Sequence, residues 1–110
     1  MPETKTEEKK EKKSIKDEIK DVFGELKGII KNNKPLTYQA KLLVATHLSR
    51  LGYLIDPDEI QAVIDNDAQV TIVLRTIKID IGHEPDRNPF TKKWETRWYA
   101  TWDSLFAVYN

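Results

Sequence analysis

Residues 69–102 read QVTIVLRTIKIDIGHEPDRNPFTKKWETRWYATW, and the way this stretch pairs with itself decides the fold. Val70, Ile72 and Leu74 alternate with other residues, as do Ile77, Ile79 and Ile81, which is the period of a strand with one buried face. The two sets are out of phase. A single strand over 69–82 therefore needs a β-bulge near Arg75–Thr76 to keep both on one side. GHEPDRNP, residues 82–89, is made of turn formers and reads as loop. Trp94, Trp98 and Trp102 then recur every fourth position, a step that fits one stripe of a helix or one side of a strand. A helix over 94–109 would align them with Leu105, Phe106 and Tyr109. Thr96, Thr101 and the aromatics favour a strand instead. The apolar strand also needs a partner for its backbone N–H and C=O groups. An antiparallel hairpin closed by an 83–92 loop meets both demands. It puts Trp94, Thr96, Trp98, Ala100 and Trp102 on the face of Ile77, Ile79 and Ile81, with the tryptophans mostly in the core.

Charge selects the register. Keeping both apolar faces together permits only even shifts. One choice opposes Asp80 to Glu95 and Lys78 to Arg97, which are two repulsions. Sliding by two residues sets Asp80 against Lys93 and Lys78 against Glu95. The expected register is therefore Ile79 opposite Trp94 and Ile77 opposite Thr96, with Trp94 and Trp98 buried.

Upstream the chain reads as three helices. Ser14 opens the first, with Asp17 three residues on as an imperfect capping box. Ile15, Ile19, Val22, Leu26 and Ile29 form its apolar seam, widened by Phe23 and Ile30. The seam spans only about two heptads, short of an independent coiled coil. Gly24 and Gly28 each weaken it by about 1 kcal/mol. The helix thus needs a partner surface, either its own domain or a second copy of the chain. Pro35 ends it.

Thr37 caps a second helix that runs to Leu51 and stops at Gly52. Ala40, Leu43, Val44, His47, Leu48 and Leu51 form one stripe and Tyr38 with Leu42 another, the pattern of a central helix buried on two sides. Asp56, Pro57 and Glu59 carry a complete N-terminal signature for a third helix, 57–66, burying Ile60, Val63 and Ile64. The expected fold class is α+β: three N-terminal helices followed by a long antiparallel hairpin packed on them. LFAVY (105–109) would add a third strand or a short C-terminal helix, since two strands alone are marginal. Residues 14–110 form the single domain. Residues 1–13, with five lysines interleaved with four glutamates and nothing apolar after Met1, read as a disordered tail.

Eighteen basic residues balance eighteen acidic ones, which leaves no net field to attract a polyanion or a membrane. The absence of cysteine excludes a disulfide framework, a thiolate metal site and a Cys nucleophile. The N-terminus lacks the apolar core of a secretory signal, and no apolar run approaches the ~20 residues of a membrane span. The cytoplasm, or a host's cytoplasm for a viral protein, is the expected location.

Asp80, His83, Glu84 and Asp86 have a spacing that can hold a divalent cation, but they are also ordinary hairpin-loop residues, and no metal is expected there. Pro85–Asp86 with Glu95 and Arg97 resembles a nuclease pattern, yet Arg97 stands where a deprotonatable lysine is needed. His47, on an apolar helix face, reads as a core histidine. No phosphate loop, nucleophile elbow or zinc motif is present, so neither catalysis nor a cofactor is expected.

Two function classes remain. The first is a protein-interaction or assembly protein, of the size and build of accessory proteins from phages and other mobile elements. It would act through the helix seam (Ile15, Ile19, Val22, Leu26, Ile29) and the outer hairpin residues Arg97 and Tyr99, with another protein or a second copy as partner. The second is a winged-helix-like nucleic-acid binder using Arg87, Asn88, Lys92 and Lys93 in the hairpin loop. Against the second, helix 57–66 would turn Asp58, Glu59 and Asp65 toward phosphates and contains no Lys or Arg.

Overall fold

The structure is a computed structural model that describes residues 14–105. The expected tail and all of LFAVY beyond Leu105 lie outside the described residues. Among the described residues the fold is α+β, with two helices and a four-stranded antiparallel sheet. Helix α1 spans Ile15–Asn32 and α2 spans Tyr38–Ser49. Strands β1 (Ala62–Asp65), β2 (Gln69–Val73), β3 (Ile77–Arg87) and β4 (Trp94–Ser104) follow as a meander in sequence order.

The helix starts follow the sequence signals. Ser14 Oγ accepts from the Asp17 N–H at 3.1 Å, and Thr37 Oγ1 accepts from the Ala40 N–H at 3.1 Å. Each satisfies an N–H group that the helix itself leaves without a partner. Gly52, at φ +92°, closes the turn after α2 as expected.

Helix α1, not α2, is the central element. It lies against all four strands and against α2, whereas α2 meets only α1 and the turn at 57–59. The α1 seam residues Ile19, Val22, Leu26 and Ile29 therefore sit in the chain's own core, with Phe23 and Ile30. From the sheet come Val70, Ile72, Ile79 and Ile81. Helix α2 buries one stripe, Ala40, Val44 and Leu48, and leaves Tyr38, Leu42 and Leu43 exposed. Its expected burial on two sides is corrected accordingly.

The third helix is absent. Asp56 and Glu59 do form the reciprocal capping box, but the helical turn lasts only Pro57–Glu59. The β-branched run Val63–Ile64 then enters β1 and pairs with Ile72 and Thr71. The single strand expected over 69–82 is likewise two strands. Where a bulge was expected near Arg75–Thr76, the chain reverses, and the Leu74 N–H donates to Ile77 O at 2.9 Å. The phase break between the two isoleucine sets is a hairpin turn.

The β3–β4 hairpin exists, but its register is Ile79 opposite Trp102, Ile81 opposite Ala100 and Arg87 opposite Trp94. It differs from the expected pairing of Ile79 with Trp94 because β3 runs on through GHEPDR as strand. Odd residues of β3 turn their backbone toward β2, as the His83 N–H does in donating to Ala68 O at 3.0 Å. The pairing with β2 ends there, so Pro85 turns its missing N–H to a side that needs none. Lys27 of α1 secures the β1–β2 turn, donating to Asp67 O at 2.6 Å and lying 3.2 Å from Asp65 Oδ1. The Asp67 N–H and then Lys27 hold the Asp65 carboxyl below its ordinary range, against the opposing effect of desolvation.

Candidate functional site

Beyond Gly82 the β3–β4 hairpin leaves β2 behind and continues alone, residues 83–87 paired with 94–98. This projecting arm ends in a six-residue loop, 88–93. A hairpin is marginal by itself, and two local devices order this one. At its base, Phe23 of α1, His83 and Trp98 form a three-ring cluster. Ring centroids are 5.4 Å apart for Phe23–Trp98, 5.5 Å for Phe23–His83 and 4.7 Å for His83–Trp98. At the tip, Asn88 Oδ1 accepts from the Phe90 and Thr91 N–H groups at 2.8 and 3.2 Å, and its carbonyl accepts from Lys92 N–H at 2.8 Å. Asn88 thus shapes the loop. Lys92 takes φ +65°, and its carbonyl accepts from Arg87 Nε at 3.4 Å.

The arm displays its aromatics. Phe90 at the tip is 91% exposed and Trp94 68%, while Trp102 at the other end of β4 is 56% exposed. Only Trp98 packs against the core. The strand assignment and shared face of the tryptophans hold, whereas the expected burial of Trp94 and of Trp102 does not. In the observed register Phe23 of α1 packs on Trp98 and leaves Trp94 and Trp102 exposed.

On the opposite face, Tyr99 donates its phenol proton to Gln69 Oε1 at 2.5 Å. Gln69 Nε2 lies 3.3 Å from Thr71 Oγ1, and Thr71 in turn donates to Asp80 Oδ1 at 2.6 Å. Arg97 forms an ion pair with Glu84 at 2.7 Å and lies over the Tyr99 ring at 5.2 Å from its centroid. Desolvation, then the Glu84 and Asp80 charges, raises the Tyr99 pKa above its ordinary value; Arg97 opposes them.

The sequence-derived residues separate clearly. Arg97 on the arm and Tyr99 at its base stand together on the outer face, partnered within the chain. Arg87, Asn88, Lys92 and Lys93 gather at the tip as a loop set. Of the helix seam, Ile15 alone is exposed; Ile19, Val22, Leu26 and Ile29 are interior and offer no surface to a partner. The expectation that they bind one is corrected: α1 spends that face on its own sheet. Strand alternation divides the candidate metal set, with Asp80, Glu84 and Asp86 on the outer face and His83 on the inner one among the rings. Asp86 faces Glu95 across the arm, and a shallow open recess of about 220 Å³ at the β4 edge is lined by Lys16, Asp86, Glu95, Thr96, Arg97 and Trp98. Sequence reasoning missed Phe90, whose position within a loop, unlike one within a strand, carries no periodicity. It also missed Gln69, Thr71 and Asp80 as a connected group.

Among the described residues no helix is long and apolar enough to cross a membrane. No known protein family, curated protein or solved structure matches the chain.

Proposed function

We propose that the protein is a non-enzymatic interaction module, an assembly or accessory protein, that grips another protein with the tip of its β3–β4 arm. The observation that carries this reading is the display of Phe90 on a loop whose backbone is already ordered by Asn88, with Trp94 exposed beside it at the start of β4. Exposed aromatics on a pre-shaped loop contribute contact area at little ordering cost. The helix seam drops out of the reading, since it is interior. The small size and lack of a catalytic motif fit an accessory protein of a phage or other mobile element acting in a cytoplasm.

Nucleic acid is a weaker candidate for the arm. Residues 83–98 contain four basic residues (Arg87, Lys92, Lys93, Arg97) and three acidic ones (Glu84, Asp86, Glu95), a net of one positive charge. That is little for a phosphate backbone. The winged-helix arrangement lacks its recognition helix, because residues 57–66 form a short turn and a strand.

A photo-crosslinking residue in place of Phe90, carried by the full chain in its native lysate, tests the reading. One protein should be captured reproducibly and lost on Trp94→Asp. Duplex binding that weakens steeply with salt and vanishes on Lys92→Glu with Lys93→Glu would overturn it in favour of nucleic acid.

A further inference from the structure

Strand β4 forms one border of the sheet, and among the described residues nothing pairs with its outer side. Its odd residues bond to β3, as Leu105 N–H does to Thr76 O, so its even residues turn their N–H and C=O outward. The stretch 94–103, uncovered among the described residues, is a template for another strand. It lacks three of the usual protections: proline, a bulge and shortness. No proline or bulge interrupts it, unlike its neighbour β3, and the opposite border, β1, is only four residues long.

The sequence of this border is complementary to its own reverse about Ala100. One residue away on either side stand Tyr99 and Thr101. At two residues stand Trp98 and Trp102, and at three stand Arg97 and Asp103, opposite in charge. We propose that β4 pairs antiparallel with β4 of a second copy about a two-fold axis at Ala100, joining two four-stranded sheets into one of eight strands. Each Arg97 then faces the other copy's Asp103, each Trp98 faces a Trp102, and the two Ala100 side chains leave room at the axis. Moving the axis to Tyr99 would set Glu95 against Asp103, and moving it to Arg97 would set Arg97 against itself. Both give like charges directly opposite. The pairing covers Trp102, which the monomer leaves exposed, and leaves the Phe90 tips free at opposite ends. It deepens the reading of the arm as a contact surface by naming a second copy as occupant of the edge, yet it uses residues that the tip does not.

Sedimentation of the full chain at micromolar concentrations is expected to show a dimer. The Ala100 N–H points outward, so Ala100→Pro blocks the edge without removing a bond to β3 and should raise the dimer Kd at least about tenfold. Arg97→Asp should weaken the dimer, and adding Asp103→Arg should restore it. Ala100→Cys supplies the chain's sole thiol at a facing pair whose Cα separation, ~5.5 Å, suits a disulfide, so mild oxidation should link two chains. A monomeric wild type, a dimer indifferent to Ala100→Pro, or a charge swap that fails to restore association would overturn the proposal. If Ala100→Pro does not fold, the charge swap decides. Capture through Phe90 is scored separately, so the tip reading can stand or fall without this one.

Discussion

The Tyr99 ring passes over Gly82, its direct partner across the β3–β4 ladder, to reach Gln69 on the strand beyond. The contact depends on a missing side chain. A Cβ on Gly82 would run into Ala68 O and come within 2.9 Å of Tyr99 Oη and 3.0 Å of Gln69 Cα. Two of those neighbours are backbone and cannot swing aside. Gly82→Ala is therefore expected to destabilise the fold by about 1–3 kcal/mol, as overpacking of a tight site does. Urea titration of the variant checks this, and an unchanged midpoint would refute it.

Tyr99 also gives the protein an alkaline limit. Its folded pKa lies above the ordinary value, chiefly through desolvation and then the Glu84 and Asp80 charges. Its stabilising effect is complete below the unfolded pKa of ~10 and is lost as pH rises from there through the folded pKa. Thermal melts from pH 9 upward should show a midpoint that declines above about pH 10. Tyr99→Phe should flatten that decline while costing about 1 kcal/mol at neutral pH, the worth of the lost hydrogen bond.

Gly24 and Gly28 interrupt α1 on its exposed side, and an added Cβ at either would meet nothing within 4 Å. Gly24→Ala and Gly28→Ala should each stabilise the chain by roughly 0.5–1 kcal/mol through reduced backbone entropy in the unfolded state. Calorimetry of the double variant should show the two gains adding. A loss at either site would mean that something outside the chain uses the gap.

The tryptophans should respond unequally. Trp98 joins Phe23 and His83 at the base of the arm, and Trp98→Ala is expected to cost about 2–3 kcal/mol, below the range of a fully buried ring. Trp94→Ala, at an exposed position, should stay within about 0.5 kcal/mol. Chemical denaturation of the two variants side by side measures the difference.

Several elements were legible in the sequence for identifiable reasons. Ser14, Thr37 and Gly52 act within one turn of the chain, so their caps and stops could be read locally. The alternation of Ile77, Ile79 and Ile81 showed a strand with one buried face. The register is not legible there, because Gly82 and Pro85 read as turn formers. Their actual roles, room for Tyr99 and tolerance of a missing donor, depend on which strands flank them. The same holds for residues 57–66: the Asp56–Glu59 box specifies how a helix begins and says nothing of how long it lasts. For the candidate site, residue type alone singles out Arg97 and Tyr99. Phe90 and the Gln69–Thr71–Asp80 network needed the three-dimensional pairing.

Helix α2 rests on α1 and on the 57–59 turn without meeting any strand. Losing the contacts of its Ala40, Val44 and Leu48 breaks no rung of the sheet. Opening of this layer is thus cheaper than global unfolding, and its amides belong to a separate cooperative unit. Native-state hydrogen exchange should release residues 40–49 at lower denaturant than residues 79–81 of β3, and release of both together would contradict it. A layer with that freedom exposes the rear of α1 whenever it lifts, so the chain has a second, transient apolar surface on the side away from the arm.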